Sequence, residues 1–293
     1  MPDYILSCCS TLDLTKEHLT EKNINFIPFH FFINETHYYD DLGQTLPSKK
    51  LYEAMRADAD VKTSQVNSDE FTAYFTPFLE QGKDILHISM SSGISGVYNS
   101  AMIAKKELEE KFPERKIYVI DSLAASAGYG LLMDKLADLK NSGMSIDKLK
   151  DFAENNKLKV WHWFTSTDLT FYIKGGRVSK TAGFFGGLLK ICPVLNVDKN
   201  GKLNAVTKVR TKQKSITELL NKMVECAENG ENYSGKCFIS QSDCYEDAKM
   251  LANLIEEKFK NLDGKVLINN IGPTIGSHTG PGTIALFFWG KER

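Results

Sequence analysis

The chain has 293 residues, of which 42% are hydrophobic and 25% charged, with a formal net charge of -1. Such a composition describes an ordinary globular protein long enough for two domains. Near-neutral charge without a basic block argues against nucleic acid as a partner, and no apolar run approaches the ~18 residues a membrane helix needs.

Strand is predicted over residues 4–7, followed by a short helix near 15–21. The opening residues, from Met1 to Leu6, lack the basic region and apolar core of a signal peptide. Residues 25–33 (NFIPFHFFI) are β-prone, and Asn34-Glu35 turns them back into 36–39 as a hairpin, with Pro28 marking an edge or bulge. A helix over 47–59 leads to a hydroxyl-rich bend at 62–66. Asn67 and Glu70 form a capping-box pattern at the next helix start.

Strand 85–89, helix 96–112, strand 117–121 and helix 124–139 then alternate. That rhythm predicts a parallel sheet covered by helices, with ligands at the carboxyl ends of its strands. Both hydroxyl-rich bends, 62–66 and 91–96, are expected at that edge. After a helix over 146–157 the pattern changes to an aromatic strand at 159–166, a short helix at 168–174 and an apolar, glycine-rich run at 183–195. A hairpin near Gly201, helices at 212–227 and 243–259, and strands at 236–241, 265–271 and 283–289 complete an α+β half. The expected organisation is α/β with two domains, 1–157 and 158–293.

Cys8, Cys9, Cys192, Cys226, Cys237 and Cys244 show neither CxxC nor zinc-ligand spacing. They are expected to be buried reduced thiols of a cytoplasmic protein, and neither metal nor cofactor is expected.

Four patches carry groups suited to an anion: Thr63-Ser64; residues 91–96; Gly175-Gly176-Arg177 together with Lys208-Val209-Arg210; and residues 275–282 (IGSHTGPG). In the second, a buried strand passes through a Ser/Gly turn into a helix whose first N–H groups lack intrahelical partners. Ser92, Ser95 and Gly96 belong to that turn, and Ser95 serves equally as a plain helix cap. In the fourth, His278 and Thr279 form a donor pair in a Gly/Pro turn; alone, His278 would read as a solvent-facing histidine. Arg177 reads alone as a surface arginine beyond a helix C-cap, and Arg210 as a solvated charge.

Reactive alternatives are poorly supported. GxSxG, GxGxxG and HExxH do not occur, and residues 230–237 (GENYSGKC) precede a strand and lack the magnesium-binding hydroxyl of a phosphate loop. Ser95 with His278 as nucleophile and base lacks an acid to orient the histidine.

Thr63-Ser64-Gln65, the SSGISGVYNSA run, VIDS at 119–122, YIKGGRV at 172–178, LLKICPVL at 188–195 and the terminal IGSHTGPGT together resemble the DegV family along essentially the whole chain. The resemblance implies a two-domain protein that is not itself an enzyme. It implies a long-chain fatty acid lying in an apolar tunnel between or within the domains, presented to a separate ATP-dependent kinase subunit that makes the acyl phosphate. Transient contact with a membrane surface is part of that expectation. By motif position the carboxylate contacts carry over to Thr63, Ser95, His278 and Thr279, with Arg177 in the same region, Ser64, Ser92 and Gly96 supporting, and Arg210 a looser candidate for partner contact. Phe184, Phe185, Leu188, Leu189 and Ile191 are candidates for tunnel lining. A stand-alone carrier or sensor and a Ser95-dependent acyl hydrolase are the alternatives. Departures from the family pattern fall at Cys8-Cys9, Val66 and Cys192, and bear on partner docking and tunnel shape.

Overall fold

The computed structural model describes residues 3–178 and 191–293. Its first part runs β1 (Tyr4–Cys9), α1 (Lys16–Glu21), β2 (Asn25–Ile27), β3 (His30–Ile33), β4 (Thr36–Tyr39), α2 (Ser48–Arg56), β5 (Val61–Ser64), α3 (Ser68–Glu80), β6 (Asp84–Ser89), α4 (Val97–Lys111), β7 (Ile117–Asp121), α5 (Ser126–Asn141) and α6 (Ile146–Asn156). The remainder runs β8 (Val160–Thr165), α7 (Thr170–Lys174), β9 (Ile191–Val197), β10 (Leu203–Arg210), α8 (Lys212–Cys226), β11 (Phe238–Gln241), α9 (Tyr245–Lys258), β12 (Leu267–Asn270), α10 (Pro273–Thr279) and β13 (Ile284–Trp289).

The expected parallel sheet is present, in the order β2-β1-β6-β7. Side chains along a strand alternate between faces, so Ile5, Ile85 and Ile117 meet α3 and α4 while Leu6, Leu86 and Ile120 meet α5. Pro28, which has no N–H to donate, ends β2, and the chain leaves for a separate antiparallel sheet, β4-β3-β5. The capping box of α3 is formed: Glu70 N–H donates to Asn67 Oδ1 at 3.0 Å, and Asn67 N–H donates to Glu70 Oε2 at 2.8 Å.

The later strands build a six-stranded mixed sheet, β10-β9-β8-β13-β11-β12. One face, with Trp163, Ile239, Leu286 and Phe288, packs under α8 and α9. The other, with Phe164, Ala285 and Phe287, faces α5, which is therefore buried nearly all round between two sheets. Small residues permit this: a Cβ at Gly130 would come within 2.6 Å of the Leu12 carbonyl oxygen.

Two expectations need correction. Residues 62–66 are not simply a bend: Thr63 and Ser64 close β5, because the alternation of Val61, Thr63 and their partners on β3 suits an edge strand. Thr63 therefore lies on the three-stranded sheet, whereas residues 91–96 do follow β6 at the carboxyl edge of the parallel sheet. The IGSHTGPGT segment is likewise not an open turn. Pro273 at the first position starts a helix that ends where Gly280 takes φ of 68°, and His278 sits in its last turn.

Candidate functional site

A cavity of about 320 Å³ lies between the carboxyl edge of the parallel sheet and the face of the mixed sheet turned toward α5. Its floor follows strand periodicity: Thr283, just before β13, and Ala285 and Phe287 on it stand at alternate positions, with Phe164 and His162 on the adjacent β8. Met90 and Ile94 from the β6–α4 segment contribute further apolar surface. From Thr283, just before β13, to Phe287 the chain spans roughly 13 Å at the usual strand rise.

A group of polar side chains gathers where β5 meets α10, and Ser126, His162, Thr274 and Thr283 are further polar members of the lining. Thr63 Oγ1 and His278 Nε2 are 2.8 Å apart. Ser95 Oγ donates to Gln65 Oε1 at 3.1 Å and accepts from Val97 N–H, the first of α4, at 3.2 Å; the N-cap position itself is Gly96, and Ser95 lines the cavity. Gln65 Nε2 in turn donates to Ser100 Oγ at 3.1 Å, tying β5 to α4. Thr279 and Arg177 line the same cavity. The Arg177 guanidinium donates to the Gly175 carbonyl oxygen, and partial burial lowers its pKa.

Burial, and then the positive charge of Arg177, push the His278 pKa down to about 4. The imidazole is therefore neutral near pH 7, with one nitrogen a donor and the other an acceptor. Its Nδ1 is buried without a hydrogen-bond partner among the described residues. Gly175 makes room for it, since a Cβ there would stand 2.3 Å from Nδ1.

A second hollow of about 320 Å³ lies on the outer side, lined by Lys62 and Lys174 among others, and Thr63, Arg177 and His278 border both spaces. Asp60 pairs with Lys62 at 2.5 Å and Lys174 at 3.3 Å on this rim.

Thr63, Ser95, His278, Thr279 and Arg177 are thus brought together at the cavity. Ser64 lines it but is exposed, with a long 3.5 Å contact to the Gln65 carbonyl oxygen. Gly96 lets the Gln65 amide approach, a Cβ there lying 3.0 Å from Oε1. Ser92 is exposed and does not line the cavity; its N–H donates to Asp121 Oδ1 at 3.1 Å. Arg210 ends the edge strand β10, exposed and away from the cavity. Ile191 opens β9 without lining the cavity, and Phe184, Phe185, Leu188 and Leu189 lie outside the described residues.

The amide bridge of Gln65 was visible only as a letter in the TSQ run, and no periodicity marked His162 or Ser126 as cavity residues. The cysteines are free thiols, with Cys226 and Cys244 half-buried and not fully enclosed as expected.

Residues 9–291 match the model of a family described as uncharacterised proteins of the DegV family. A DegV domain-containing protein of Clostridium perfringens is 39% identical over 293 residues, covering 100% of this chain and 99% of the relative. Among solved structures, a stearic acid-binding protein from Eubacterium ventriosum superposes with a TM-score of 0.86 at 26% identity, covering 99% of each chain. The Streptococcus pneumoniae Fatty Acid Kinase B3 protein loaded with linoleic acid shares the fold at a TM-score of 0.83 and 24% identity, again covering 99% of each chain.

Proposed function

This chain belongs to the DegV family, and on that premise we propose that it carries one long-chain fatty acid, tail in the cavity and carboxylate at Thr63, Ser95, His278 and Thr279. The observation that carries this reading is the cavity itself, lined by Phe164, Ala285 and Phe287 on β8 and β13 and by Met90 and Ile94, with the hydroxyl and imidazole groups of Thr63, Ser95, His278 and Thr279 gathered where Thr63 meets His278. A tail of about fifteen methylenes contributes about 12 kcal/mol gross before ordering costs. The tail therefore supplies affinity and the polar end supplies orientation. Hydroxyl and neutral imidazole donors compensate a partly buried carboxylate without closing it into a tight ion pair.

In the same reading residues 1–157 and 158–293 act as two domains, and catalysis belongs to a separate kinase subunit working in the cytoplasm. The outer hollow beside Thr63, His278 and Arg177 supports this, because it leaves the carboxylate end approachable while the tail is covered. The ligand would be exchanged at the membrane surface. Arg210 is retained only as a surface charge that a partner can reach.

A hydrolase is disfavoured by geometry: Ser95 Oγ donates to Gln65 and, among the described residues, makes no bond with His278. Delipidated protein should bind palmitate or oleate with one site per chain. It should leave acyl esters untouched and yield acyl phosphate only when an ATP-dependent fatty acid kinase is added. Ester turnover by this chain alone, abolished by Ser95→Ala, would reverse the assignment.

A further inference from the structure

Helix α10, which presents His278 and Thr279, is gripped at its start by two carboxylates from distant parts of the chain. Asp13 Oδ1 accepts from Gly272 N–H at 2.8 Å, and its other oxygen accepts from the Ser126 hydroxyl. Asp40 Oδ2 accepts from Thr274 N–H at 3.1 Å and from Thr274 Oγ1 at 2.5 Å. The Tyr52 hydroxyl donates to the Ile271 carbonyl oxygen at 2.9 Å, and a Cβ at Gly276 would meet that hydroxyl at 2.5 Å. Asp13 and Asp40 are 4% and 1% exposed, yet neither has a cationic partner among the described residues. The titratable groups facing them are each other, Asp41 and Tyr52.

We propose that Asp13 and Asp40 are positioning residues forming a clamp on α10, which sets His278 against Thr63 when shut and must open for the ligand to leave. The inference rests on the fatty-acid reading above. Two buried carboxylates held by hydrogen bonds but without a cationic partner are a costly way to fasten a helix for stability alone, since burial of the charged form is penalised. They do suit a contact that releases.

The charge on the clamp gives it a signature. Burial, moderated by the hydrogen bonds from Ser126 and Gly272, raises the Asp13 pKa to about 7; burial, moderated by Thr274, raises that of Asp40 to about 6. Opening returns both to water, where a carboxyl titrates near about 4, so opening releases protons and is favoured as pH rises. His278 titrates lower, at about 4, and does not contribute across this range.

The test is stopped-flow displacement of cis-parinaric acid by excess oleate between pH 5 and pH 8. Wild-type release should quicken at least about tenfold from pH 5 to pH 8, and the Asp13→Asn/Asp40→Asn double variant should lose most of that dependence. A wild-type rate independent of pH, or a folded variant with the full wild-type slope, overturns the clamp. If the variant does not fold, hydrogen exchange of wild type decides. Protection of residues 272–280, corrected for intrinsic rates, should fall from pH 5 to pH 8 relative to α5; equal protection refutes it. Failure of parinaric acid to bind at any pH condemns the fatty-acid reading and leaves the exchange experiment to judge the clamp.

Discussion

Thr63 and His278 stand 215 positions apart in sequence and share a 2.8 Å contact. A hydrogen bond of that kind contributes about 1 kcal/mol, so Thr63→Val should weaken fatty-acid affinity only about fivefold by calorimetry. Presentation of the carboxylate should suffer more, seen as a larger loss in acyl-phosphate formation with a kinase added; equal losses in both assays would contradict the division between tail and head. The histidine makes a separate prediction. Its pKa falls from 6.5 to about 4 on folding, so the unfolded chain binds a proton first as pH drops. The stability it contributes is present above 6.5 and lost as pH falls toward 4. An NMR titration of the ring with a midpoint above 6 would sink this account. The identities of these residues were readable in their motifs, but their convergence was not, because Thr63 and His278 are brought together by the packing of α10 against β3, β5, α2 and α7, segments far from it in sequence.

At the scale of elements, the main course of the chain was legible where apolar periodicity was strong. Three of the parallel strands (β1, β6 and β7), α4 and α5 are such cases, whereas β2 reads as part of the hairpin segment 25–33 and pairs instead with β1. Legibility failed where backbone chemistry overrode composition. A segment rich in Gly, Pro and Thr reads as a turn, yet Pro273 is well placed to begin a helix and Gly280 to end it. The hydroxyl-rich residues of β5 read as a bend, yet pairing with β3 makes them a strand. The junction of α7 with α10 is testable. Gly175 has an ordinary φ of -74°, so alanine is acceptable to the backbone there, but its Cβ would lie 2.3 Å from His278 Nδ1. Gly175→Ala should therefore displace the histidine and weaken ligand binding about as much as His278→Ala does. Wild-type affinity in a folded Gly175→Ala protein would mean that His278 does not hold the carboxylate.

For the whole molecule, the order of layers follows from burial: α3 and α4, the parallel sheet, α5, the mixed sheet, then α8 and α9. An ion network fastens α5 to the second sheet. Lys236, just before β11, pairs with Asp134 at 2.6 Å and Asp138 at 3.2 Å, and Lys22 and His18 join from α1 and its end. Burial opposes ionisation of Asp134, but His18, Lys236 and Lys22 outweigh it and hold the pKa at about 2. Its stabilisation is thus present above about 4 and lost as pH falls toward 2. Asp134→Asn should cost about 3 kcal/mol in urea unfolding at pH 7, and the gap from wild type should shrink in acid; a gap unchanged down to pH 2 would contradict the pairing. None of this network was visible in sequence, where each member is one charge among many. The account as a whole depends on what occupies the space between the layers. Mass spectrometry of small molecules extracted under denaturing conditions from the purified protein tests that most directly: the prediction is fatty acid near one equivalent per chain. Protein that yields none, and after delipidation takes up neither palmitate nor oleate, would contradict it.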